Sequence, residues 1–226
     1  MEEERHRGPA EEPNFGEPST PRPAASIVLL RRGGKHSQRA LEVLLLKRTE
    51  EAKFMPGLWV FPGGSVDAAD GEGEGEGEGD AGYRACALRE LTEETAIELP
   101  ADEELVPFSR WITPAIISRR FDAWFYLALA PAHSPPQPDG VEIVAADWFE
   151  PAAALAANEA GELPLAFPTR SQLETLSGFA NSDEAIAHHR GLTPQPILPV
   201  VVGEGEKARI VLPGDPEYPA DQILPA

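Results

Sequence analysis

The fold of this 226-residue chain is decided by two stretches, FPGG at residues 61–64 and RELTEETAI at residues 89–97. The first stretch ends a short apolar run, and its glycines let the backbone approach another group closely. The second belongs to the clearest helix of the chain, which we predict over Ala81–Ile97. On that helix one face is shared by Ala81, Ala85, Leu88, Leu91, Thr92 and Thr95. The other side carries Glu90, Glu93 and Glu94, within roughly 100° of one another.

These three glutamates are candidate metal ligands. At spacings i, i+3 and i+4 they repel one another by roughly 0.2–0.5 kcal/mol per pair. A bound Mg²⁺ or Mn²⁺ would reverse that repulsion, because hard cations take oxygen ligands. A solvated acidic face explains the spacing at least as well in a chain whose net charge is −19. The spacing alone therefore does not decide between a metal site and a solvated acidic face. The residues that flank the glutamates do.

Together the two stretches resemble the Nudix hydrolase motif, in which a glycine loop leads into a helix carrying Arg-Glu-x-x-x-Glu-Glu-x-Gly. The resemblance implies an α/β fold, a Nudix-type α/β/α sandwich with a mixed sheet, and an enzyme that cleaves phosphoanhydrides. It implies that Glu90, Glu94 and the Gly64 carbonyl hold metal ions, and that Glu93 is a further ligand or the base that activates water. Arg89 is expected to orient a motif carboxylate. The metal ions would polarise phosphoryl oxygens and lower the pKa of the attacking water.

The chain departs from the family motif in three places. Gly64 and Arg89 are 25 positions apart where the family has 14, so 25 − 14 = 11 residues are inserted, mostly in GEGEGEGEGD at 71–80. We expect this Gly/Glu tract to be a mobile loop, either a tolerated insertion or a charged flap near the metal site. Asp70 stands where the family has its first glutamate and is a possible accessory carboxylate. Ala96 replaces the closing glycine, at a cost of about 1 kcal/mol if the position is left-handed.

The segment before the glycine loop narrows the choice of substrate. Arg48, Gly57 and FPGG follow a spacing similar to that of coenzyme A diphosphatases. Where that signature has a second arginine, this chain has Lys53, which keeps the positive charge but cannot form the two parallel hydrogen bonds of a guanidinium. The blocks SRWITP at 109–114 and RRFD at 119–122 resemble Nudix proteins with an insertion inside the motif, a group that contains a peroxisomal coenzyme A diphosphatase. Arg48 and Lys53 are therefore expected to bind substrate phosphates. Arg119 and Arg120 could clamp phosphate too, although a basic turn between strands is an equal explanation.

The resemblance thus favours metal-dependent cleavage of coenzyme A or acyl-CoA into a phosphopantetheine product and adenosine 3′,5′-bisphosphate. Rival substrates are ADP-ribose, NADH and nucleoside triphosphates. A rival of another class is a catalytically silent Nudix module that only binds its ligand. Glu142, at the start of a predicted strand, is a possible base outside the helix, although a plain surface carboxylate is the simpler interpretation.

Composition sets the remaining expectations. A surplus of acidic residues argues against nucleic acid, whose phosphates need clustered Lys and Arg, so the expected partner is a small-molecule diphosphate. No apolar run approaches the ~20 residues that cross a bilayer, and the single cysteine, Cys86, requires no oxidising compartment. A cytoplasmic monomer or homodimer without a membrane partner is expected. Residues 1–23 and 214–226 are predicted tails, the first disordered, around a Nudix domain at 24–213 with a helical extension from 151 to 213.

Short apolar runs and helical periodicity predict the other elements. The predicted strands are Ser26–Arg31, Leu41–Arg48, Leu58–Phe61, Trp111–Thr113, Phe121–Ala128, Glu142–Trp148, Ile197–Val202 and Ala208–Leu212. The predicted helices are Pro151–Asn158, Arg170–Phe179 and Ser182–His189, the second capped by Thr169. Aromatic side chains on these strands are expected in the core rather than stacked on a base.

Overall fold

The central strands are apolar on both faces, as expected for a sheet that is covered on both sides. A computed structural model describes residues 17–34, 37–71, 80–203 and 209–219, with side chains described outside 33–40. The predicted behaviour of residues 1–16, of most of the Gly/Glu tract and of residues 220–226 lies outside this described part. The strands are β1 (Arg22–Gly34), β2 (Ser37–Arg48), β3 (Trp59–Val60), β4 (Gly63–Ser65), β5 (Val106–Ile112), β6 (Phe121–Leu129), β7 (Ile143–Phe149), β8 (Pro196–Ile197), β9 (Val200–Val202) and β10 (Arg209–Val211).

The main sheet is mixed. Its order is β3-β2-β1-β6-β5-β8, with β4 also paired to β1 and β7 to β2. The β1–β6 and β5–β8 pairs are parallel, and the other pairs are antiparallel. The strands β9 and β10 form a separate antiparallel pair, which we call the C-terminal ribbon. The predicted mixed sheet is confirmed.

Helices cover both faces of this sheet. They are α1 (Asp80–Thr95), α2 (Pro151–Glu159), α3 (Phe167–Leu176) and α4 (Ser182–His189). On β1, Ile27 and Leu29 pack with α1, whereas Val28 and Leu30 point to the face that carries the other three helices. This alternation follows the two-residue period of a strand. The α/β/α sandwich predicted from the family resemblance is therefore confirmed.

Several predicted boundaries differ from the structure. β1 begins at Arg22, before the predicted start of the domain, because the Arg120 guanidinium donates to the Ser19 carbonyl (2.8 Å) and holds the preceding segment. α3 begins at Phe167, so the predicted cap at Thr169 is wrong, and Thr169 is buried within the helix. Pro168 is tolerated in the first turn because no intrahelical N–H bond is needed there. The C-terminal extension contains three short strands as well as its helices.

The packed face of α1 is also rotated by about a third of a turn from the predicted one. Its buried residues are Gly82, Cys86, Ala87, Leu91, Glu94 and Thr95, whereas Leu88 is exposed. The prediction was wrong because it placed all three glutamates away from the sheet. Among the described residues, no helix is long and apolar enough to cross a membrane.

Candidate active site

The two glycines at the end of the FPGG stretch position the carboxylates of α1. A Cβ on Gly63 would lie 2.5 Å from the Ala25 carbonyl oxygen, so only glycine lets β4 approach β1 this closely. The Gly63 N–H is then free to donate to Glu94 Oε2 at 2.9 Å. A Cβ on Gly64 would lie 2.3 Å from Glu90 Oε1, so the Glu90 carboxylate occupies the space that a side chain at residue 64 would fill.

The Arg89 guanidinium connects the carboxylates around it. Its Nε and Nη2 each lie 2.9 Å from one Asp70 oxygen, in a bidentate pair with a carboxylate whose side chain is 3% exposed. Its Nη1 donates to Glu90 Oε1 at 2.8 Å and to Glu93 Oε2 at 3.2 Å. The Asp70 carboxylate also accepts from the Asp67 N–H at 2.8 Å. Arg89 therefore positions carboxylates rather than facing the cleft, and Asp70 is the group that positions Arg89.

Burial affects the pKa values of two carboxylates on α1, Glu90 and Glu94. Burial raises the pKa of Glu94 to about 8, because one N–H bond and the neighbouring Arg48 charge do not replace the lost water. Burial also raises the pKa of Glu90, against the opposing hydrogen bond from Arg89. The Arg89 hydrogen bonds instead hold the pKa of Asp70 below its usual range. Charge is costly at Glu90 and Glu94, and a divalent cation would offset that cost.

These carboxylates fit a hard divalent cation by their chemistry. Glu90 and Glu94 offer only oxygen donors, and the Gly64 carbonyl adds another, 3.5 Å from Cys86 Sγ. Within the described ranges, no group of three His, Cys, Asp or Glu side chains is already arranged around one point as a metal ligand set. Arg89 holds Glu90 and Glu93 in ion pairs that a bound cation would compete with. The donor set is suited to the ion but not closed around it.

Cys86 takes no part in this chemistry as a thiolate. It is fully buried against β1, and burial raises the pKa of its thiol to about 12. Its role is that of a small apolar side chain, as expected from the sequence.

A cleft of about 530 Å³ opens beside the glycines. Its polar end is formed by Arg48, Gly63, Gly64, Ser65, Asp67, Glu90 and Glu142. Arg48 donates to Glu142 and, from Nε, to the Phe54 carbonyl at 2.9 Å, so this guanidinium is fixed in place. The structure thus brings Arg48, Glu142 and the Glu90–Gly64 contact together in one cavity.

Not every predicted binding residue reaches this cleft. Arg119 lines it and is exposed. Arg120 is buried instead and donates to the carbonyls of Thr113 (2.9 Å) and Ser19 (2.8 Å), so the prediction that it clamps phosphate gives way to a structural role. Lys53 is exposed and is absent from the lining. Glu93 also lies outside the lining, and its side chain is 60% exposed.

Sequence reasoning missed the apolar part of the cleft. Trp111 and Phe125 belong to the core, as expected, and yet both line the cavity. Trp111 is 5% exposed, and its Nε1–H meets no acceptor within the described part of the chain. Trp124 and Trp148 instead pack on the α1 face, so they cannot stack on a ligand in the cleft. No spacing signal in the sequence separates these two pairs of aromatics.

Comparison with known proteins agrees with this geometry. The model of the NUDIX domain matches residues 20–167. Nudix hydrolase 7 of Caenorhabditis elegans is 31% identical over 212 residues, which cover 79% of this chain and 67% of that protein. The acyl-coenzyme A diphosphatase NUDT19 of Xenopus laevis is 23% identical over 279 residues, covering 81% and 73%. The crystal structure of a NUDIX hydrolase from Alicyclobacillus acidocaldarius shares the fold, with a TM-score of 0.67 at 24% identity over 77% of this chain and 99% of that one.

The matched domain contains the FPGG loop, the Arg89 ion pairs and the α1 carboxylates described above. Enzymes with this domain generally act with divalent metal ions on phosphoanhydrides. The chain belongs to the Nudix hydrolase family and is a pyrophosphohydrolase of that family.

Proposed function

We propose that the chain hydrolyses the diphosphate of coenzyme A or of an acyl-CoA, with Mg²⁺ or Mn²⁺ as the cofactor. The observation that carries the proposal is a single cleft in which acidic and basic groups at one end continue into a long apolar wall. A diphosphate needs the acidic and basic groups, and the pantetheine arm of coenzyme A suits the apolar wall. The name of the Xenopus relative, an acyl-coenzyme A diphosphatase, supports the same substrate class.

Glu90, Glu94 and the Gly64 carbonyl would hold the metal, with Glu93 as a further ligand. When bound, the ion supplies charge stabilisation at the phosphoryl oxygens and a more acidic water. The protein contributes the positions of these groups. The bidentate Arg89–Asp70 pair fixes the helix against the 3₁₀ turn at Ala68–Asp70, and the Gly63 N–H fixes Glu94. Arg89 is thus a positioning residue.

Two carboxylates remain candidates for the base that takes the proton from the attacking water. Glu142 lines the cleft and is held by Arg48, whereas Glu93 is held by Arg89 outside the lining. A base must come within hydrogen-bond reach of the water in a plausible substrate pose. This requirement favours Glu142, and leaves Glu93 as the alternative that the sequence first suggested.

Among the described residues, the arginines that line the cleft and can meet the anionic substrate are Arg48 and Arg119. The overall charge of −19 would repel such a substrate, so these local cations and the metal must provide the attraction. Lys53 stays a candidate only for parts of the substrate that project from the cleft. We further propose that the protein acts on its small-molecule substrate as a cytoplasmic monomer or homodimer.

The test is a panel of coenzyme A, acyl-CoA, ADP-ribose, NADH and nucleoside triphosphates with Mg²⁺ or Mn²⁺, with the products resolved by mass. We expect adenosine 3′,5′-bisphosphate from coenzyme A and its acyl derivatives, at a kcat/KM at least tenfold above the other substrates. A preference for ADP-ribose or NADH would replace the proposed substrate. If no compound is cleaved and yet some bind, the chain is the silent module.

A further inference from the structure

The cleft has an apolar end built by a part of the chain that lies beyond the matched Nudix domain. The domain match stops at residue 167, whereas the C-terminal ribbon comprises Val200–Val202 and Arg209–Val211. Val201 and Ile210 are directly opposite each other in the ribbon, and both line the cleft. Cross-strand partners point to the same face, so this pair forms one continuous apolar surface.

The opposite face of the ribbon has a different environment. The neighbouring cross-strand pair is Val202 with Arg209, and neither residue lines the cleft. Arg209 forms ion pairs with Asp215 and Glu217, on the segment that follows the ribbon. Alternation along a strand therefore separates a cleft-facing pair from an ion-paired one.

The distance between the two ends of the cleft follows from the sheet. The strands β4, β1, β6, β5 and β8 are successive neighbours, with Gly64 in the first and the ribbon directly after the last. Four spacings of about 4.8 Å place the Gly64 end roughly 19 Å from the β8 edge. An extended ligand with its diphosphate at Glu90 therefore needs a long arm to reach the ribbon.

The chemistry of this end suits a hydrocarbon. Ile112 and Ile117 join Val201 and Ile210 in the lining, and Arg119, two positions after Ile117, is a cation of that lining. The sole buried donor without a partner in this lining is the Trp111 Nε1–H, among the residues that the structure describes. A carbonyl along the arm could accept from it. A ribose carrying phosphate would need more polar partners than these side chains offer.

We infer that the C-terminal ribbon is the specificity element of this enzyme, and that Val201 and Ile210 bind the acyl chain of an acyl-CoA. This inference rests on the proposed function, because it assumes that the diphosphate lies at the Glu90 end. It makes a long-chain acyl-CoA a better substrate than free coenzyme A. Full burial of one methylene is worth about fourfold in kcat/KM, and less where the cleft is open.

The experiment compares Val201→Phe and Ile210→Phe, which fill the apolar end, with Val202→Phe as the matched control on the other face of the same strand. Turnover is measured with coenzyme A and with straight-chain acyl-CoA from two to twelve carbons. For the wild type and Val202→Phe, we expect kcat/KM to rise at least twofold per two added carbons until the chain fills the cleft. For the two cleft-facing variants, we expect that rise to vanish, so that kcat/KM falls more for the acyl-CoA substrates than for coenzyme A.

Binding without turnover separates this inference from the proposed function. Calorimetry in EDTA with octanoyl-CoA and coenzyme A should give at least a tenfold affinity difference in the wild type, and a difference under threefold in Val201→Phe and Ile210→Phe. Cleavage of coenzyme A with no dependence on chain length would overturn the acyl site and leave the proposed function standing. Chain-dependent binding without any cleavage would do the reverse. An equal loss for coenzyme A and acyl-CoA in the cleft-facing variants would place the nucleotide at the ribbon and overturn the inference.

Discussion

Replacing the buried carboxylate of Glu94 by an amide separates its effect on the fold from its effect on the metal. Glu94→Gln keeps the size of the side chain and an oxygen that can accept from the Gly63 N–H, which lies 2.9 Å away. It removes the charge that burial makes costly and that a divalent cation would need. We therefore expect stability and activity to change in opposite directions.

The size of the stability effect follows from the pKa of Glu94, which burial raises to about 8 from an ordinary 4.5. In the metal-free protein the folded state binds a proton that the unfolded state has released, so stability falls as the pH rises from about 4.5 to about 8. At 1.36 kcal/mol per pH unit the full loss is on the order of 5 kcal/mol. Glu94→Gln avoids it, and should unfold roughly 10–20 °C above the wild type at pH 9 in EDTA and at nearly the same temperature at pH 5.

The effect of metal has the opposite sign. An ion at 100 times its Kd stabilises the wild type by about 2.7 kcal/mol, which is roughly 5–11 °C in a domain of this size. We expect little or no such shift for Glu94→Gln, together with a loss of turnover of at least 100-fold. The assay is thermal unfolding at pH 5, 7 and 9, with EDTA or with Mg²⁺, and Glu98→Gln, an exposed carboxylate near the end of α1, is the control.

Two results would refute this reasoning. An unchanged pH dependence in EDTA would show that Glu94 is ionised in the folded protein at no cost. Full turnover and a full Mg²⁺ shift in Glu94→Gln would remove this carboxylate from the metal site.

Three further changes test other contacts. Ala96→Gly should raise the free energy of unfolding by about 0.5–1 kcal/mol, because Ala96 has a φ of 55° and glycine relieves that strain; a lower Tm would contradict this. Gly64→Ala should fold normally but lose most activity, since its Cβ would displace the Glu90 carboxylate, whereas Gly63→Ala should unfold at lower temperature because its Cβ meets backbone. Equal effects on Tm would overturn that distinction. Glu142→Gln should lower kcat by at least 100-fold, because an amide cannot take the proton from the attacking water, while an unchanged kcat would point to Glu93.

The motif and its flanking residues were enough to predict the sheet, the helix and the α/β/α arrangement. They also gave a cost for Ala96 on the condition that this position is left-handed, and its φ of 55° meets that condition. What they could not give is the rotation of α1. That helix has few large apolar residues, so its periodicity did not reveal that Glu94 is buried, a position that depends on the Gly63 N–H from a distant strand.

The two adjacent arginines predicted to bind phosphate differ in their outcome, because their side chains have different neighbours in the fold. Arg119 and Arg120 are adjacent, and their side chains take opposite directions, one to the cleft and one into the Ser19–Thr113 contacts. The charge of two adjacent arginines does not show which of them will hydrogen-bond to backbone carbonyls and which will face the cleft. The apolar wall was missed because Val201 and Ile210 meet the cleft only through the placement of the ribbon, which no local pattern encodes.

The ion pair between Asp70 and Arg89 joins residues 19 positions apart, one before the inserted tract and one after it. This ion pair, which we call the clasp, closes the loop that contains the tract. The positions of the α1 carboxylates therefore depend on the clasp and not on the length of the chain between Asp70 and Arg89. The entropic cost of closing a loop grows only slowly with the length of the loop. The tract can therefore lengthen, shorten or accept a foreign sequence during divergence or engineering, and the catalytic geometry would be inherited unchanged as long as the clasp is kept.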